Sequence, residues 1–283
     1  MTKEMTEKTL YRATKKTLPN FTDHKGRENL LELTGVLFDR IHSVGCVFPP
    51  SSSLNDVTSP PSAQLVANTM AILPAWYQLA HASFSLINTV DNPTTRLAHC
   101  MTFERTLLAD LSHPTFDFTL PSAPVRPAPD YKLGIVTLMV GSASRVLPLD
   151  SLPGDEATRK ILEEILAHLN TVCSGRVFGI TEKGRMGLFL QGCETGDEVC
   201  LIEGMGVLFV LKRIGWIRDP RLGRAEESAA SGDIAHEEGY EESEDRNGEQ
   251  RPLYELVGAA YVHGVMDGEG MDGMGEAVSF LLK

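Results

Sequence analysis

Four groupings of residues in this chain have types and spacings that could do chemistry. Gly268-Glu-Gly-Met-Asp-Gly273 matches Gly-x-Gly-x-x-Gly, the loop that lays backbone amides against a pyrophosphate. Here Glu269 and Asp272 put carboxylates where phosphate would sit, and too few residues follow for a helix and second strand. Asp267, Glu269, Asp272 and Glu276 supply oxygens at calcium-loop density. An EF-hand loop, however, needs an oxygen ligand at its fifth position and Gly at its sixth, where this chain has Met271 and Asp272. The stretch therefore reads as an acidic turn. His263, two residues after Tyr261, is the third candidate; with Asp267 and Glu269 it is the best set for a hydrolytic or ligand-binding cleft. A general base needs a nucleophile and an orienting partner, and spacing names neither, so His263 reads as a hydrogen-bonded structural residue. Fourth are the five cysteines, Cys46, Cys100, Cys173, Cys193 and Cys200. No Cys-x-x-Cys occurs, and His42 with Cys46 or His99 with Cys100 is too sparse for a metal. They read as reduced, mostly buried thiols. No catalytic, cofactor-binding or metal-ligating set emerges, and the expectation is a non-enzyme without cofactor.

The elements around these groups divide the chain by pattern. Residues 1–29 are a polar lead-in, and no apolar core of a signal peptide is present in them. Leu30 to Ile41 alternates in part and reads as one or two strands. Three helices follow within a mainly helical region at 30–174: Ala63 to Ile87, broken near Pro74; a second opening at Asn92-Pro93; and a third capped by Asp155. Leu97, Met101, Leu108 and Leu111 form the expected apolar face of the second helix. Ile161, Leu162, Ile165, Leu166, Leu169 and Val172 form that of the third. The run from Tyr131 to Val140 fits helix and strand equally. From Gly175 to 271, five short apolar runs separated mostly by Gly-containing turns read as a small antiparallel β-barrel, whose closure removes exposed edges. Residues 272–283 remain as a tail. The predicted class is α+β, a helical N-terminal and middle region packed with a C-terminal barrel.

Charge and composition narrow the function classes. The 283 residues are 42% hydrophobic and 23% charged, ordinary globular usage. Of the net charge of −12, the segment Glu226–Gln250 carries −9, with ten acidic residues against Arg246 alone. That insert, at about 221–251, is predicted to be solvated and disordered between the last two barrel strands. The remainder is near neutral and has no basic stripe, which argues against nucleic acid as a partner. From Val57 to Val90 no Asp, Glu, Lys or Arg occurs, but Pro60, Pro61 and Pro74 and several polar side chains interrupt the run. A buried helix, not a membrane span, is expected there.

Several blocks, taken in order, carry a family resemblance. Tyr11-Arg-Ala-Thr14 and Leu30 to Ile41 come first, then Phe103-Glu-Arg-Thr-Leu-Leu-Ala-Asp110, which includes Arg105 and Asp110. Arg176 to Leu188 follows, with Thr181, Gly184 and Gly187; then Gly196-Asp197-Glu-Val-Cys200 and Phe209-Val-Leu-Lys212. Tyr254 to Glu269 closes the series, with Gly258, Tyr261, Val262, His263, Gly264, Met266, Asp267, Gly268 and Glu269. This pattern resembles the region downstream of the effector domain in fungal heterokaryon-incompatibility (HET) proteins. It departs from that family at Ala259, where an acidic residue is usual, at Leu208 and Lys212 around Phe-Val-Leu, and at Gly187-Leu-Phe-Leu190.

The resemblance implies a role in fungal nonself recognition, in which unlike fused cells are killed. In that family the N-terminal HET domain acts as the death effector and is similar to TIR domains. These 283 residues hold no counterpart of it, so the resemblance implies a stand-alone C-terminal module, a truncated paralogue or a partial gene model. A recognition or regulatory module without catalysis is the leading expectation, cytoplasmic, with a full-length HET-type protein or another protein as partner. The alternatives are an enzyme using a cleft between helices and barrel, and a non-functional remnant.

Overall fold

A computed structural model describes residues 21–23, 30–50, 63–87, 93–109, 156–218, 250–266 and 276–283. The expectations for residues 1–20, the Asp155 cap, the run 131–140, the acidic insert and the loop 267–275 lie outside these. One strand organises the rest. β2 (Leu31–Val47) is a single strand of 17 residues, where one or two strands were expected over Leu30 to Ile41. On one edge it pairs with β3 (Arg176–Thr181) at Ile41 to Val47. On the other edge it pairs with β1 (Phe21–Asp23) at Leu31 to Leu33 and with β5 (Glu198–Ile202) at Gly35 to Arg40. Register shifts within both long pairings let it bend between its partners.

β3 continues to β4 (Met186–Leu190), β4 pairs β7 (Gln250–Val262), β7 pairs β6 (Leu208–Arg218), and β6 pairs β5. Because β5 also pairs β2, the path of hydrogen-bonded strands returns to its start. All of these pairings are antiparallel. An eighth strand, β8 (Val278–Leu282), forms where a tail was expected; it is antiparallel to β2 and parallel to β7. The sheet is therefore mixed rather than wholly antiparallel. β6 and β7 also run further than their apolar cores suggested, to the pair Arg218 and Gln250, so Gln250 and Arg251 belong to a strand and not to the insert. At the other end β7 stops at Val262, and His263 and Gly264 lie in a turn instead of within the strand.

Among the described residues three helices pack on this sheet, giving a mixed α+β architecture: α1 (Ala63–Ile87), α2 (Pro93–Leu107) and α3 (Glu156–Cys173). α1 runs continuously past Pro74 instead of breaking there. Its buried residues Thr69, Ile72, Leu73, Trp76, Ala80, Ser83 and Phe84 recur at helical spacing and face β2 and β3. α3 buries Ile165, Leu166 and Leu169 as its stripe predicts. α2 follows its expected face only in part: Leu97 is 49% exposed and Met101 half-buried, while Leu108 is buried together with Phe103, Glu104, Thr106 and Leu107; Leu111 lies outside the described residues. The turn that ends α2, with Ala109 at φ 51°, carries Leu108 inward.

The main core centres on Trp76. Its ring lies 5.9 Å from both Phe48 and Phe178, and Phe103 meets Phe178 edge-on at 5.2 Å. Trp76 Nε1 donates to the Cys46 carbonyl at 2.9 Å, which satisfies the only polar atom of the ring. A second, smaller core joins Leu33, Cys200, Ile202, Leu211, Tyr254, Phe280 and Leu282. No helix among the described residues is long and apolar enough to cross a membrane.

Candidate functional site

The β4–β7 pairing gathers many of the motif residues. Gly187 sits opposite Val262, and Leu188 opposite Tyr261. The backbone of the next residue, His263, donates to the Met186 carbonyl at 3.0 Å, which carries the 263–266 turn alongside β4. Thr181 closes β3, and its buried hydroxyl accepts the Arg185 amide at 3.1 Å, fixing the turn that contains Gly184. Gly184, Gly196 and Gly264 take positive φ, at 76°, 93° and 77°. Gly187 has a different reason to lack a side chain. A Cβ there would meet Phe189 Cζ and the Tyr261 carbonyl oxygen, each at 2.7 Å, so Phe189 lies across the space the glycine leaves. Gly258 combines φ 149° with Leu190 Cδ1 at 2.2 Å from its would-be Cβ. Val262 and Met266 are buried in the main core. Arg105 is in the last turn of α2, on a separate element from this group. Asp110, Asp267, Gly268 and Glu269 lie outside the described residues.

Of the trio His263, Asp267 and Glu269, the described residues thus contain His263 alone. Its Nδ1 lies 3.0 Å from the hydroxyl of buried Tyr261, a bond that orients the ring.

A polar network that the motifs did not indicate links β2, β5 and β7. Buried Asp39 accepts the Arg40 amide on Oδ1 (2.9 Å) and the Lys183 amide on Oδ2 (3.3 Å), while Lys183 Nζ donates to the Phe38 carbonyl at 2.7 Å. Arg40 Nη2 reaches buried Glu198 at 3.3 Å, and Tyr254 hydrogen-bonds the same carboxylate. Burial first, then that carboxylate, raises the Tyr254 phenol well above its ordinary range. Next along the chain, Asp197 Oδ2 accepts the Glu194 amide at 2.8 Å. Burial raises its pKa, and the donated amide and Lys212 partly offset that rise. The signal for this network is in the sequence after all: Asp39-Arg40 is a charge pair enclosed by Phe38 and Ile41 in an apolar strand.

Three thiols are buried: Cys173 at the end of α3, Cys193 after β4 and Cys200 in β5. Burial pushes Cys173 and Cys193 up to about 12 and raises Cys200 further, so all three stay protonated. His99 is held below its ordinary value by burial, with Nε2 2.7 Å from the Ala80 carbonyl. Tyr77, 3.6 Å from Cys100 Sγ, is raised to about 12, chiefly by that contact. Among the described residues no group of three or more His, Cys, Asp or Glu is placed to hold a metal ion.

One surface differs in character. On the β6–β7 ribbon, Ile214, Trp216 and Leu256 are exposed, Trp216 by 59%, and the Arg213 guanidinium stacks over the Trp216 ring at 5.5 Å. No family model, no curated protein and no solved structure matches this chain.

Proposed function

We propose that this chain is a non-catalytic recognition or regulatory module of the fungal heterokaryon-incompatibility type, acting in the cytoplasm in nonself recognition. Its partner is another protein, in the first instance a full-length HET-type protein. The observation that carries this reading is the exposed Trp216 with Arg213 stacked on it and Ile214 exposed two residues before it. Tryptophan and arginine dominate the binding energy of protein interfaces, because each combines a large apolar area with a directed polar group. The motif residues Gly187, Gly258, Thr181 and Gly184 support it from the other side, since their contacts shape backbone and turns. We also read the closed circuit of strand pairings as a small β-barrel, as the short apolar runs and their Gly-containing turns suggest.

The test is co-expression with an intact HET-type protein in a fungal host. The expected outcome is altered cell-death activity that a Trp216→Ser variant, equally abundant and folded, no longer produces. Unchanged killing at matched expression overturns the reading.

A further inference from the structure

Beyond its pairing with β5, β6 leaves an edge open. β5 covers one edge of β6 from Leu208 to Leu211, and β7 covers the other from Leu208 to Arg218. The ion pair of Lys212 Nζ with Glu194, 2.7 Å apart, ties the strand to the turn before β5 and marks where that cover ends. From Arg213 to Arg218 the edge away from β7 pairs with no strand among the described residues. There is room beside it: a Cβ built on Gly215 meets nothing within 4 Å, and Ile214 and Trp216 are 43% and 59% exposed. Such an edge presents amides and carbonyls with which an extended peptide can pair.

Charge decides which strand fits. From Lys212 to Arg218 the chain has three basic residues and no acidic one. A second copy laid antiparallel along Arg213 to Arg218, in the register of fullest overlap, would set Arg213 opposite Arg218 at both ends. Like charges directly opposite one another are destabilising, so this edge resists pairing with itself. The same two positions favour a strand that brings carboxylates to them. Between them, exposed Ile214 and Trp216 offer apolar surface, with the Arg213 guanidinium 5.5 Å over the indole ring.

We propose that the open edge of β6 from Arg213 to Arg218 is a strand-addition site for an extended acidic segment of another protein, one with carboxylates flanking apolar residues. Backbone hydrogen bonds to β6 supply the pairing, the arginines select the charge, and Ile214 and Trp216 take the apolar side chains. The inference rests on the reading of the Trp216 surface as the one that meets a partner, and it adds what that partner presents.

The test uses the full chain and a fluorescein-labelled peptide, Glu-Val-Thr-Val-Thr-Glu, read by anisotropy. With an acid at each end it meets Arg213 and Arg218 whichever way it runs. Uptake at one site is expected. Exchange of both glutamates for lysine, or Arg213→Glu in the protein, should weaken it roughly tenfold or more. Two further peptides carry N-methyl groups, one at its second and fourth residues, the other at its third and fifth. Successive amides of a strand point to opposite edges, so one peptide should lose roughly tenfold or more in affinity while the other stays within about twofold. Equal binding by both methylated peptides, or loss in both, overturns strand addition; the Trp216 reading is then judged by the co-expression test alone. Absence of uptake, or no preference for the acidic peptide over the lysine one, also overturns the proposal. So do dimers of the full chain that disperse in Trp216→Ser, because they give the edge to a second copy.

Discussion

Asp197 shows how a single buried carboxylate sets a pH response. Burial disfavours its ionised form, so its folded pKa stands above that of the unfolded chain. The folded state therefore binds this proton more tightly, and the associated stability is present below the unfolded pKa and lost as pH rises through the folded one. Asp197→Asn removes that loss while its amide oxygen can still accept the Glu194 amide. Urea titrations from about pH 3 to about pH 7 should show the variant gaining on the natural chain as pH rises. A difference between the two that is flat with pH would contradict this. At this scale the sequence was legible in part. His263 carries a structural hydrogen bond, but its partner is the Tyr261 hydroxyl two residues away in the chain. The Asp39, Arg40, Glu198 and Tyr254 network lies on three strands, and its one local mark is the charge pair Asp39-Arg40 inside an apolar strand; the partners joined to it by cross-strand register carry none.

The elements were legible where one periodicity ruled and illegible where tertiary packing overrode it. Of the α3 stripe, Ile165, Leu166 and Leu169 are buried at helical spacing as read and Val172 is half-buried, whereas α2 turns Phe103, Glu104, Thr106 and Leu107 inward and leaves Leu97 in solvent. Neighbouring elements choose the face in a helix whose apolar residues are spread around its axis. Within β4 the glycine of the Arg176-to-Leu188 block has a steric reason that no turn pattern discloses. Gly187→Ala should destabilise by about 1–3 kcal/mol, since neither the Tyr261 carbonyl nor the enclosed Phe189 ring can retreat freely. Gly215, in β6, meets nothing within 4 Å of a built Cβ. Gly215→Ala should be neutral or stabilising by up to about 1 kcal/mol, through loss of unfolded-chain entropy. Chemical denaturation of the pair, read by Trp fluorescence, tests the contrast; equal destabilisation would count against the packing described for Gly187.

For the whole molecule, the sheet is defined by long-range pairing, which is why the described residues form eight strands where five short apolar runs and one or two earlier strands were read. Arg218 and Gln250 are direct partners at the end of the β6–β7 ribbon. A two-residue Asn-Gly turn can therefore join them, and replacing residues 219–249 by that turn should leave the melting temperature within roughly 3 °C, as shorter loops cost little or even favour closure. A collapse of the fold on that replacement would mean the removed residues pack against the body. The same deletion removes −8 of the net −12, so the shortened protein should be the less soluble near its isoelectric point. β2 has a further consequence, in time rather than space. Its partners β1, β3, β5 and β8 are drawn from both ends of the chain, and Glu32 meets Ser279 across 247 positions. Such pairings place this protein among slow folders of high contact order. During synthesis, the first-made strand must wait for nearly the last-made one, with the edge from Leu31 to Gly35 unpaired until then. A nascent chain held at that stage is where chaperones should bind most strongly.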